Sequence, residues 1–291
     1  MIKESNCKKL KYSIIVLISI VLLTFSCKKK NDNNKQNNTE KIRIVSLAPS
    51  LTKELVDLGL KDNIVGATSY CDITSNKKDL VIGSAISVNI EKVLLLKPDV
   101  VFATGLTKEK TVIALEKNGV QVYKFGKMKS FDAICNHFIE LAKYVDKENV
   151  AKLIIKDSRL KIDSLKATVP KHKDSLAIFF QVGAKPIFTV IPDTFMNDYI
   201  TFAGCKNIAQ DLSKVTINRE AVVNRNPDII FIISMGIAGN NEKNIWGNYP
   251  ELNAAKNKKI FVIDADIAAT PTVLSFTEAL EIIINDIYKN N

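Results

Sequence analysis

A fourteen-residue unit occurs twice in this chain, and it constrains the fold more than any other feature. Asn89-Ile-Glu91-Lys-Val93-Leu-Leu-Leu-Lys97-Pro98-Asp99-Val-Val-Phe102 and Asn218-Arg-Glu220-Ala-Val222-Val-Asn-Arg-Asn226-Pro227-Asp228-Ile-Ile-Phe231 share Asn, Glu, Val, Pro, Asp and Phe at identical spacing, 129 positions apart. Each copy predicts the same structure: an Asn N-cap, a Glu in the first turn where the helix dipole favours an anion, two turns of helix, a Pro-Asp stop and a buried strand. One copy in each half of 291 residues supports two lobes, a division that the length allows. Read locally, Glu91 and Glu220 only stabilise their helices. A second reading, that the matched carboxylates face a common partner, is open at this point.

The rest of the chain alternates in the same way. Strands are expected at 42–47, 64–67, 100–103 and 120–125, with helices from Ser50 as N-cap to Leu58, over 90–96 and over 108–118. From Ser130 to Thr168 there is no Gly or Pro, and two apolar stripes recur at helical spacing: Ile134, Phe138 and Leu141, then Val150, Leu153, Ile154 and Leu160. The stretch 147–168 would make a helix of about 33 Å at about 1.5 Å per residue, long enough to bridge two lobes. Alternation then resumes with strands at 175–182, 229–234 and 260–263 and helices at 193–202, 219–225 and 272–288. Apolar strands between helices belong to sheets buried on both faces, so the fold class is α/β. The expected division is two Rossmann-like α/β lobes, 41–145 and 171–291, joined by a single long bridging helix over 146–170.

The first 40 residues read differently. Lys3, Lys8, Lys9 and Lys11 precede a twelve-residue apolar run, Ile14 to Phe25, broken only by Ser19 and Thr24 and followed by Ser26-Cys27. This is the layout of an export signal over 1–26. A Cys directly after a small residue resembles a bacterial lipoprotein signal, with Cys27 as the lipidated mature N-terminus. Residues 28–40 (KKKNDNNKQNNTE) contain no apolar side chain, so 27–40 is expected to be a disordered tether. These segments carry half of the formal charge of +10 and leave +5 on the body, which with export argues against nucleic acid as a partner. With 46% hydrophobic residues and only five Cys, disordered and disulfide-scaffold classes are excluded. A mean hydropathy of +0.05 excludes a multi-pass membrane protein.

No catalytic motif stands up. Ser50-Leu-Thr-Lys53 is an S-x-x-K, the acylating motif of penicillin-recognising enzymes, but Ser75–Lys78 and Ser158–Lys161 match it too, and S-D-N and K-T-G are absent. An exported serine enzyme using Ser50 and Lys53 is therefore the alternative to a non-enzymatic binder. A metal-ion site is disfavoured because the chain has only His137 and His172, both read as ordinary surface or core residues. No cofactor is called for. Cys71, Cys135 and Cys205 are expected to be buried free thiols.

Five segments together carry a family resemblance: Arg43-Ile-Val-Ser-Leu-Ala-Pro49-Ser50-Leu-Thr52; Val65-Gly66 with Ser69-Tyr70-Cys71-Asp72; Asn89-Ile-Glu91 through Pro98-Asp99; Phe202-Ala-Gly204 with Asn207; and Arg219-Glu220 through Pro227-Asp228. In order and spacing the chain resembles the substrate-binding proteins of ABC importers for cobalamin, ferric siderophores and haem. The resemblance implies a ligand cleft between two lobes, small lobe motion and no chemistry on the ligand. It also implies an extracytoplasmic monomer that delivers its ligand to a permease dimer with its ATPase, held to the membrane through a lipid anchor. By position it assigns ligand contacts to Tyr70, Asp72, Thr104, Gly183, Met235, Trp246 and Asp266, and permease docking to Glu91 and Glu220. The chain departs from the pattern at Lys53, where the family often has Glu, and at Ala85, Thr104 and Lys214, where cobalamin binders carry aromatics. A corrinoid and a hydroxamate-type or otherwise weakly charged iron chelate both stay open as ligands.

Overall fold

Residues 41–170, 175–234 and 238–289 are described by the computed structural model. The export signal, Cys27, the tether, His172 and Met235 lie outside the described residues. The first half runs β1 (Ile44–Ser46), α1 (Pro49–Asp57), β2 (Ile64–Ala67), a small hairpin of β3 (Gly83–Ser84) and β4 (Ser87–Val88), α2 (Ile90–Leu95), β5 (Val100–Thr104), α3 (Glu109–Lys117), β6 (Gln121–Phe125) and α4 (Phe131–Lys143). Helix α5 (Glu148–Ala167) follows. The second half runs β7 (Ala177–Gln181), α6 (Asn197–Phe202), β8 (Lys206–Asn207), α7 (Arg219–Arg225), β9 (Ile229–Ser234), α8 (Ala238–Gly247), α9 (Asn253–Lys256), β10 (Ile260–Asp264), α10 (Ala265–Ala268) and α11 (Val273–Tyr288). The sheets have the orders β2-β1-β5-β6 and β10-β9-β7-β8, and every pairing within them is parallel.

Each sheet is buried on both faces, as the continuous apolar strands predicted. Along β5, Val100 and Phe102 join one core cluster while Val101 and Ala103 join another; along β9, Ile229, Phe231 and Ile233 alternate in the same way with Ile230 and Ile232. Both copies of the repeat form the predicted unit. Asn89 Oδ1 accepts from Lys92 N at 2.9 Å, and Asn218 Oδ1 accepts from Ala221 N at 2.8 Å. The residues before the two prolines, Lys97 and Asn226, both take positive φ, 46° and 43°. The aspartates then do more than stop a helix. Asp99 Oδ2 accepts from Arg43 N at 2.7 Å, and Asp228 Oδ2 accepts from Ala177 N at 2.9 Å. In return the Asp99 and Asp228 amides donate to the Arg43 and Ala177 carbonyls. The repeat thus clamps the start of an equivalent strand, β1 or β7, in each lobe.

Helix α5 is the predicted bridge. Its 20 residues span about 30 Å, and it packs on α4 of the first lobe and α11 of the second. Of the apolar stripe read from the sequence only Ile154 packs partly buried on the core: Leu153 and Leu160 are 62% and 60% exposed, and Val150 is exposed as well. The buried face is Ala151, Ser158, Ile162 and Leu165, where two small residues let the neighbouring helices approach. Further ties join the lobes behind the cleft. Phe131 N donates to Asp198 Oδ2 at 2.7 Å, the Phe131 and Phe276 rings lie 4.6 Å apart, and Lys161 pairs with Glu281 at 2.5 Å. One apolar cluster runs from Ile44 in β1 to Ile287 in α11, so the lobes share a core along their backs.

Two local expectations are corrected. Helix α1 starts at Pro49 with Ala48 as N-cap and no side-chain cap, rather than at Ser50, because proline at the first position needs no amide partner. Helix α6 begins at Asn197, since the chain turns at 194–197 before it. No helix among the described residues is long and apolar enough to cross a membrane.

Candidate functional site

Parallel strands place the loops at their C-terminal ends on one edge, which is where open α/β sheets bind ligands. A cavity of about 480 Å³ between the two lobes runs along α1, from that edge at Pro49 and Asp72 back toward the start of β2 at Lys61. Pro49, Thr52, Lys53, Val56 and Asp57 of α1, with Lys61, Asp72 and Ile73, line it from the first lobe; Asp266, Ile267, Thr272, Leu274, Ser275 and Glu278 line it from the second. Lys53 sits across the join. Its Nζ donates to the Asp266 carbonyl at 2.8 Å and lies 4.0 Å from Asp72 Oδ2. The lining holds four acidic residues, Asp57, Asp72, Asp266 and Glu278, against two lysines, Lys53 and Lys61, so its formal charge is acidic.

The first-lobe wall is held by a buried polar network. Thr52 Oγ1 bonds Ser46 Oγ at 2.8 Å and Cys71 Sγ at 3.1 Å, and Cys71 Sγ lies 3.1 Å from Thr68 Oγ1. These contacts fix the loop that carries Tyr70 and Asp72 against α1. Two residues on from Thr52, fully buried Glu54 pairs with His137 of α4 at 2.7 Å. Burial pushes the Glu54 carboxyl above the usual range, against the opposing hydrogen bond and charge of His137. Asp57 is pushed up to about 6, first by burial and then by Glu54, with Lys53 opposing.

A second recess of about 260 Å³ opens at the ends of β7 and β9, lined by Gln181 to Pro186, Phe188, Ile232, Ile233, Gly239 and Glu242. A Cβ at Gly183 would stand 3.1 Å from the Phe188 ring, so a larger residue there would require the ring to give by a few tenths of an ångström. Away from the cleft, Glu91 and Glu220 lie exposed in the first turns of α2 and α7. Neither carboxylate has an ion-pair or hydrogen-bond partner among the described residues.

The family model for periplasmic binding proteins matches residues 44–267, from β1 into α10. The chain belongs to this family. An ABC transporter substrate-binding lipoprotein of Bacillus subtilis (strain 168), YvrC, is 30% identical over 257 residues, 85% of this chain and 81% of YvrC. A solved structure described as a possible iron-binding (periplasmic solute-binding) protein from Staphylococcus epidermidis is 30% identical with a TM-score of 0.74, covering 85% of this chain and 98% of that one. The vitamin B12 binding protein BtuF of Vibrio cholerae is 25% identical with a TM-score of 0.69, covering 84% and 96%. The two-lobed fold expected from the sequence is therefore that of this periplasmic binding family.

The structure brings Asp72 and Asp266 together in the cavity between the lobes and puts Gly183 in the recess at the ends of β7 and β9. Tyr70 lines neither; it follows β2 with 76% of its surface exposed, near the edge that also carries exposed Ile86 and Leu106. Thr104 ends β5 half-buried, its hydroxyl 3.4 Å from Leu106 N. Trp246 is corrected: its indole is 0% exposed, packs edge-on against Phe179 and donates to Gln181 Oε1 at 2.6 Å, so it cannot touch cleft contents. Cys71 and Cys135 are buried free thiols, whereas Cys205 is only partly buried. Ser50 is buried while the Lys53 ammonium is spent on Asp266 and Asp72, which is not the arrangement of an acylating pair. The sequence marks Lys53 only through the S-x-x-K match and its departure from the family pattern, and gives no sign of its contact with Asp266 or of the Glu54–His137 pair.

Proposed function

We propose that this protein is a lipid-anchored extracytoplasmic binding protein that captures a bulky neutral or cationic metal chelate, a corrinoid or a ferric hydroxamate, and delivers it to an ABC permease. The observation that carries the ligand class is the charge of the cavity between the lobes. Four carboxylates against two ammonium groups oppose a chelate with several carboxylates of its own, since like charges brought together in a cleft cost several kcal/mol. Haem, with two propionates, and polycarboxylate siderophores are disfavoured on that ground. The exposed Tyr70, Ile86 and Leu106 add apolar surface for the body of a large ligand. Relatives named as vitamin B12-binding proteins, at 25% to 28% identity over about four-fifths of this chain, support the same class.

Glu91 and Glu220 are proposed as the docking residues. Exposed anions at matched positions of two pseudo-symmetric lobes suit a two-fold cationic partner. The anchor is proposed at Cys27, in keeping with the lipoprotein name of YvrC. The test is chelate uptake by cells carrying Glu91→Lys with Glu220→Lys. Uptake should be abolished while chelate affinity of the purified protein is unchanged; normal uptake would move docking elsewhere.

A further inference from the structure

We infer that Arg219 is a positioning residue that ties the docking helix α7 to the floor of the second-lobe recess, so that a ligand seated there is registered beside Glu220. The inference rests on Glu220 being a docking residue. In the repeat, Arg219 stands where the first copy has Ile90, which packs partly buried on the apolar core of the first sheet. A helix start alone therefore calls for no cation. Arg219 turns inward instead: its Nη2 donates to Glu242 Oε2 at 2.5 Å, and its guanidinium carbon lies 4.7 Å over the Trp246 ring.

Glu242 and Gln181 are both buried, and both line the recess. Gln181 Nε2 donates to Glu242 Oε2 at 2.8 Å and to the Gly183 carbonyl at 3.0 Å, while Gln181 Oε1 accepts from Trp246. Contacts thus run without a gap from Gly183 through Gln181 and Glu242 to Arg219, whose chain neighbour is Glu220. A buried carboxylate keeps its cation, because separating the two leaves an uncompensated charge. Displacing Glu242 from the recess side therefore displaces Arg219 and the first turn of α7. The first lobe has no such path through Ile90, so this link belongs to one lobe only.

Hydrogen exchange on the full-length protein tests this. Arg219→Met and Glu242→Gln should each speed exchange in α7 and in residues 182–189 by about tenfold, the factor expected for one lost charged hydrogen bond. The double variant should be no faster than either single one, Arg219→Lys should restore part of the protection, and α2 should not change. Urea midpoints would separate this from global unfolding. Exchange in α7 unchanged in Glu242→Gln, or additive effects in the double variant, would overturn the link. In a second arm, saturating cobalamin or a ferric trihydroxamate should protect α7 in the native protein but not in Arg219→Met. If neither probe binds, the proposed chelate class fails, and the ligand-free exchange still decides the role of Arg219.

Discussion

Asp57 shows how a single side chain carries the electrostatics of the cleft. It lines the cavity one turn from buried Glu54, and folding raises its pKa from an ordinary 3.8 to about 6. The folded chain thus favours the neutral acid. Stability from that preference is present at low pH and is lost as the pH rises from 3.8 through about 6. Asp57→Asn should accordingly raise stability at pH 7 by about 1–2 kcal/mol, allowing for partial solvent screening. Urea unfolding would show the gain shrinking as the pH falls toward 4; a gain that persisted there would contradict the charge argument. None of this was legible in the sequence. Asp57 is one of many acidic residues there, the burial that makes Glu54 costly to ionise is a tertiary property, and His137, which opposes that cost, lies 83 positions away. Trp246 failed as a ligand contact for a related reason, since nothing local to an aromatic says which way its helix faces.

At the scale of elements, the repeat was legible because its signals are local: an Asn cap, a glutamate in the first turn, a Pro-Asp stop. What that pattern could not show is the tertiary use of Asp99 and Asp228 as clamps on Arg43 and Ala177, 56 and 51 positions away. Bridge length was legible from the absence of Gly and Pro, but its buried face was not. Small Ala151 and Ser158 mark that face, while the larger Leu153 and Leu160 face water. The α1–α4 junction supplies a test. Glu54→Ala leaves His137 buried without its partner and should cost about 3 kcal/mol, whereas Glu54→Leu with His137→Phe should cost far less or stabilise. Equal losses in both variants, measured by denaturant unfolding, would mean that packing rather than the ion pair holds the junction.

For the whole molecule, a shared core behind the lobes and a Lys53 contact across their front make a receptor whose cleft is largely formed before ligand arrives. On the proposed reading its charge selects among chelates. The two-lobed architecture was readable from one repeat and one uninterrupted helical stretch, whereas the acidic balance of the cavity depends on six charged residues from both ends of the chain. Calorimetric titration of the purified protein with cobalamin, cobinamide, a ferric trihydroxamate and haemin tests the central claim most directly. Saturable binding of at least one neutral or cationic chelate, tighter than that of haemin, is the result expected. Binding of haemin alone, or of none of the four, would contradict it.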